Sequence, residues 1–300
     1  MNTASQACII SLDQWGDSGV TNLTYAFAST PKLVTVVAPP TTVTTMTRAF
    51  NSSAYNGPEV SSWDMSHVTD ASFMFSAAAN FNQPLNNWDV SNISNMNAMF
   101  SYATVFNQPL DNWDVSNVTN MASMFAYTAF NQPTGNWNTS NVTNMSAMFY
   151  RATAFNQPLD NWDTSRVTNM ASMFYNTSAF DQTLDSWNTS NVTNMSAMFQ
   201  QANFNQSIGN WDTSRVTNMS NMFRAARSFD QNISNWDTSR ASNMSYMFYE
   251  AVRFNNGGSH EIDNWNTSNV TNMSNMFFGA ANFNQTIGGW NTSRVTNMSN

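Results

Sequence analysis

Ten residues that directly follow a tryptophan are acidic or amide: Asp64, Asp89, Asp114, Asn138, Asp163, Asn188, Asp212, Asp237, Asn266 and Asn291. Stacked on neighbouring strands, with Trp turned to the opposite face, such a file of oxygens could collect calcium. The free exchange of Asp for Asn favours a simpler role, because either side chain can bond the backbone two residues on and close a turn. Local sequence agrees. DTSR at 163–166, 212–215 and 237–240 sets Asp three residues before Arg, whereas NTSN at 138–141, 188–191 and 266–269 loses both charges together. Asp64, Asp89 and Asp114 lack that Arg and form the least compensated acidic patch. The residues from Asp64 to Asp237 are therefore candidates for an exposed binding face, with no metal site and no cofactor expected.

Other chemistry is sparse. His67 and His260 are the only histidines, and neither an HExxH motif nor a glycine-rich phosphate loop occurs. The expectation is that the chain is not an enzyme. The insertion NNGGSHEIDNW at 255–265 lengthens one turn by four residues. Loops that break a regular scaffold often carry recognition, which makes Asn256, His260 and Glu261 a candidate loop site. Exposed Trp rings could stack on sugars, but Trp63, Trp88, Trp113, Trp137, Trp162, Trp187, Trp211 and Trp236 hold positions that read as core.

What positions these residues is a repeat. WDVSNVTNMASMF at 113–125 returns as WNTSNVTNMSAMF at 137–149 and WDTSRVTNMASMF at 162–174. Trp recurs every 24 or 25 residues from Trp63 to Trp236, and TTVTTMTRAF hides a further unit with Ala38 in the Trp slot. The reading is a lead-in at 1–9 and a single array at 10–300 of about twelve units, the last incomplete. Within one unit, Leu85, Trp88 and Val90 follow LxxLxL and predict a short strand entered at Pro84. Met96, Met99, Phe100 and Ala103 fall at i, i+3, i+4 and i+7 and predict a short helix. The expected fold is an α/β repeat, a leucine-rich-repeat-like solenoid with one strand and one helix per 24–25-residue coil.

Composition narrows the partners. Charged residues make up 9%, and the net charge of −8 reflects few cations rather than many acids. Without a basic stripe to displace counterions, a nucleic-acid partner is not expected. No apolar run reaches transmembrane length, so no direct membrane insertion is expected in this segment. MNTASQACII lacks the basic start and apolar run of a signal peptide. One cysteine, Cys8, excludes a disulfide framework.

The unit FNQPLxxWDVSNVTNMxxMFxxA resembles the repeats of BspA-like bacterial surface proteins, and the similarity covers residues 10–300. PKLVTVVAPPTTVTTMTRAF resembles the related LtsIxIPxxVtsIxxxAF form. Ala38 and Thr134 depart from the pattern. The resemblance implies a leucine-rich-repeat-like solenoid, extracellular or on the cell surface. It implies adhesion or recognition of a host or neighbouring-cell protein or glycan through the strand face and loops. Two alternatives stand beside it: a structural or filament-forming solenoid that self-associates through its ends, and an ice- or mineral-binding surface built on ordered Thr, Ser and Asn files.

Overall fold

The structure, a computed structural model, describes residues 8–16 and 19–299. Contacts group the chain into two compact units, Met1–Val142 and Thr143–Asn300. Among the described residues there is no α-helix. The regular elements are β1 (Ser11–Leu12) and β2 (Thr35–Val36), paired in parallel, and 3₁₀ turns at Pro58–Ser62, Asn256–Gly258 and His260–Asn264. The expected α/β solenoid, with one strand and one helix per repeat, is overturned.

A ribbon of tight turns stands where the helix was expected. In Met1–Val142, the amides of Met96, Ala98, Phe100 and Tyr102 donate to the carbonyls of Asn120, Ala122, Met124 and Ala126 in the next repeat. The amides between them, on Met99, Ser101 and Ala103, donate three residues back to Met96, Ala98 and Phe100. Ala98 and Tyr102 adopt left-handed φ of 52° and 60°, as the third residue of a type II turn must. Thr143–Asn300 repeats the scheme: Met170, Ser172, Phe174 and Asn176 donate to Asn194, Ser196, Met198 and Gln200, with Ser172 and Asn176 left-handed.

The physical reason lies in length. An eight-residue helix closes few internal bonds after a costly nucleation, whereas a neighbouring repeat offers an acceptor to every second amide. Each left-handed non-glycine residue costs about 1–2 kcal/mol, and the inter-repeat bonds hold it in place. The apolar spacing is the same in either backbone, since Met96, Met99, Phe100 and Ala103 are all buried. Periodicity reported burial and not the conformation that achieves it.

The expected strand is also a turn. Trp88 N–H donates to the Leu85 carbonyl and Ile93 N–H to the Val90 carbonyl. Parallel pairing survives at one residue per repeat, in the Asn slot of VTN: Asn22, Thr45, Asp70, Asn95 and Asn120 bridge in sequence in the first unit, and Asn144 through Asn297 in the second. The Asn side chain starts the ribbon, accepting the amide two residues on, as Asn95 does from Asn97 and Asn169 from Ala171.

The core is columnar. Trp63, Trp88, Trp113 and Trp137 stack with centroids 6.4–6.5 Å apart, and Trp187, Trp211 and Trp236 stack at 6.3 and 6.5 Å. Beside them run two Phe files whose members meet within a repeat, as Phe100 and Phe106 do at 4.0 Å. Each buried indole N–H needs an acceptor. Trp88, Trp113 and Trp137 donate to the carbonyls of Val60, Leu85 and Leu110 one repeat back.

Trp63 breaks this rule: its Nε1 is buried without a partner. The same step of 28 residues back lands on Thr35, in the β1–β2 pair rather than in a turn. Trp63→Phe removes an orphan donor, whereas Trp113→Phe removes a made hydrogen bond and leaves the Leu85 carbonyl with the Trp88 amide alone. Denaturant unfolding is expected to find Trp113→Phe the more destabilising by about 1–2 kcal/mol; equal losses would show that the indole hydrogen bond contributes nothing.

Candidate functional site

The residues after the tryptophans, Asp64, Asp89, Asp114, Asn138, Asp163, Asn188, Asp212 and Asp237, are all exposed. Each accepts the amide of the Ser two residues on, at 2.8–3.2 Å. In Asp64, Asp89, Asn138 and Asn188 the same oxygen also accepts the Ser hydroxyl. One oxygen of every member is thus spent on its own turn. Among the described residues no three acidic, His or Cys groups come together as a metal cluster would require.

Two charge relations differ from a simple reading of the sequence. Arg215 donates to Asn191 Oδ1 of the preceding repeat at 2.6 Å, and acts on Asp212 only through its field. Near the first full repeat, His67 lies 3.7 Å from Asp64, and Ser66 Oγ also bonds Asp64. This Asp/Ser/His trio is not a catalytic triad, because the hydroxyl is tied to the carboxylate and not to the imidazole.

The turn bonds lower carboxyl pKa values. Hydrogen bonds from Ser66, Ser116, Ser165 and Ser214 hold Asp64, Asp114, Asp163 and Asp212 below the ordinary carboxylate value, with desolvation opposing weakly. A carboxyl whose pKa is lower folded than unfolded stabilises the fold above its unfolded pKa, and that stability fades as pH falls below about 4. Asn closes the same turn at Asn138 and Asn188 without titrating. The quadruple Asp→Asn variant at these four positions is expected to keep its melting temperature at pH 7 within about 2 °C and to lose less of it by pH 3. Thermal scans at both pH values check this; an equal acid loss would remove these turns from the acid response.

The insertion is ordered by one of its own candidates. Asn256 is fully buried. Its Oδ1 accepts from Ile233 N at 3.0 Å, and its Nδ2 donates to Ser234 Oγ and the Ser259 carbonyl, both at 2.8 Å. Asp230 Oδ1 accepts from Gly257 N. Asn256 therefore fastens the loop to the preceding repeat, while His260 and Glu261 remain exposed. The tryptophans from Trp63 to Trp236 are 2–3% exposed and present no platform.

Exposed and half-buried aromatics lie elsewhere, on the outer side of the turn ribbon. In Met1–Val142, the Arg48 guanidinium sits over Tyr25 at 5.6 Å and Phe73 at 4.1 Å, and Tyr102 stacks on Tyr127 at 4.1 Å. In Thr143–Asn300, Tyr150 stacks on Tyr175 at 4.3 Å. There the Arg224 guanidinium lies 5.2 Å from the Tyr246 ring and 4.9 Å from the Tyr249 ring. Tyr249 stacks in turn on Phe278 at 5.0 Å. Local geometry explains the placement: Phe223 and Phe248 fill the core, so the residues after them, Arg224 and Tyr249, face outward. Periodicity in the sequence does not point to this surface, because its residues vary between repeats. A usable signal was there: Tyr150, Tyr175, Tyr249 and Phe278 all directly follow the core Phe of their repeat.

No curated protein matches the chain. A family model described as a Mycoplasma protein of unknown function, DUF285, matches residues 36–129, 109–203, 179–260 and 257–300. These four successive matches carry the same repetition that the Asn bridges and Trp columns show in three dimensions, and together they cover most of the sequence; the chain belongs to the DUF285 repeat family.

Proposed function

We propose that the chain is a non-enzymatic recognition module, extracellular or on a cell surface, that binds through variable side chains on its turn ribbons. The adhesive role implied by the BspA-like resemblance fits this reading. The observation that carries it is a division of labour: recurring polar residues close turns and join repeats, whereas the outer positions differ from repeat to repeat and bring Arg and aromatic side chains together, as at Arg224, Tyr246 and Tyr249. The partner is a host or neighbouring-cell glycan or protein rather than nucleic acid, with no direct membrane insertion by this segment. Among the described residues no helix is long and apolar enough to cross a membrane. Two measurements test the reading: protease accessibility on intact cells for location, and a glycan and surface-protein array for binding. Protection from protease would overturn the location, and an empty array the recognition.

A groove of about 290 Å³ in Thr143–Asn300, lined by Met273, Phe277, Ile287, Trp290 and Met298 among others, supports a second reading, association with another copy. Sedimentation across a hundredfold concentration range separates the two, since only self-association shifts the mass.

A further inference from the structure

The geometry points to a binding site for a carboxylated sugar at Arg224, Tyr246 and Tyr249. This inference rests on the recognition reading and adds a ligand class to it.

Arg224 is half-buried, held against two aromatic rings. Among the described residues its guanidinium makes no ion pair, and the one hydrogen bond that group makes, to Asn221 Oδ1, is long at 3.5 Å. Its neighbour Arg227 differs: it is 68% exposed and reaches Glu250 at 3.5 Å. A guanidinium already positioned by cation–π contact, with its donors nearly unspent, is prepared for a planar anion that accepts two parallel N–H bonds, as a carboxylate does. The hydroxyls of Tyr246 and Tyr249 make no hydrogen bond among the described residues and are available to sugar hydroxyls. Tyr249 is covered by Arg224 and by Phe278, and it is Phe278, stacked on Tyr249 and 49% exposed, that offers apolar surface for the C–H face of a pyranose.

Charge supports the sign. The chain carries −8, yet residues 217–229 and 242–254, the two ribbons that build the site, hold Arg224, Arg227 and Arg253 against Glu250 alone. A local net of +2, from three cations and one anion, favours an anionic ligand over a neutral one. A carboxylated sugar uses all three features at once: carboxylate on guanidinium, hydroxyls on the phenols, ring face on aromatic surface.

Calorimetry of the full chain with tetragalacturonic acid and with sialyllactose, against the methyl-esterified tetramer and lactose, tests the proposal. An acidic sugar is expected to bind at least tenfold tighter than its neutral counterpart, with affinity falling as salt rises. Arg224→Gln is expected to lose at least tenfold, Arg224→Lys to lose part of it, and Arg227→Gln to change little. Tyr249→Phe keeps the stacked ring and removes only the hydroxyl; a severalfold loss there supports the site even if Arg224→Gln fails to fold. Equal binding of acidic and neutral sugars, or polyglutamate binding as tightly as the sugars, overturns the carboxylated-sugar assignment and leaves recognition standing. An empty array, with no glycan or protein bound, removes the recognition reading as well.

Discussion

Trp211→Ala is expected to destabilise Thr143–Asn300 by about 3–5 kcal/mol, the range for removing a large buried ring. The indole is 3% exposed and lies between Trp187 and Trp236, with Phe199 6.1 Å away. Three losses coincide: the transfer energy of the ring, a cavity that stacked neighbours cannot close without shifting every plane beyond them, and the Leu184 carbonyl that Trp211 Nε1 meets at 3.1 Å. Because stability in a repeat chain is close to a sum of local and nearest-neighbour terms, protection of amides in residues 193–245 is expected to fall most. Hydrogen exchange resolves that profile, and denaturant unfolding gives the total. A loss under about 1 kcal/mol would show that the column does not hold the fold.

Asn256→Ala is expected to destabilise the same unit by about 3 kcal/mol, more than any other single change in the insertion. It leaves the amide of the fully buried Ile233 unsatisfied, at about 1–3 kcal/mol, and removes the bonds to Ser234 Oγ and the Ser259 carbonyl. Asn256 also has a φ of 55°, a conformation that Asn tolerates better than Ala. Asn256→Gly separates the two contributions, since Gly accepts the φ but supplies no amide group. If Gly restores most of the stability, the backbone conformation dominates; if both variants lose alike, the hydrogen bonds do. A variant as stable as the parent would mean that the loop is held by other contacts.

How much of this was legible in the sequence depends on what each pattern encodes. The residues that face inward were readable, because Met96, Met99, Phe100 and Ala103 must cluster whichever backbone carries them. The backbone itself was not: helical spacing and the turn ribbon bury the same set. What decides between them is the neighbouring repeat, which offers carbonyls at hydrogen-bonding distance and so sustains left-handed Ala98 and Tyr102. The capping reading of the Asp and Asn file followed from their exchange, and the geometry of the Ser bonds is the one such a cap makes. Asn256 looked like a surface loop residue because a polar side chain beside two glycines signals a turn; its burial needs Ile233 and Ser234 from the repeat before. The Arg224 surface was hidden for the opposite reason, since repeat analysis averages away the residues that differ.

The sameness of the inter-repeat bonds has a consequence for how the chain reaches its fold. A ribbon that joins its neighbour through backbone groups and stacked rings has almost no means of telling that neighbour from the next one along, because Asn120 and Asn169 present the same carbonyl to any donor of the right shape. Skipping a repeat during refolding therefore forfeits little contact energy and loops out some 25 residues, at an entropic cost that grows only slowly with loop length. Out-of-register traps follow from that near-degeneracy. The irregular features then acquire a kinetic meaning: Glu59, whose carboxylate accepts from the Val36 amide one repeat back, and Asn256 pinned across to Ile233, can each be satisfied in only one alignment. They serve as registration marks in an otherwise uniform ruler.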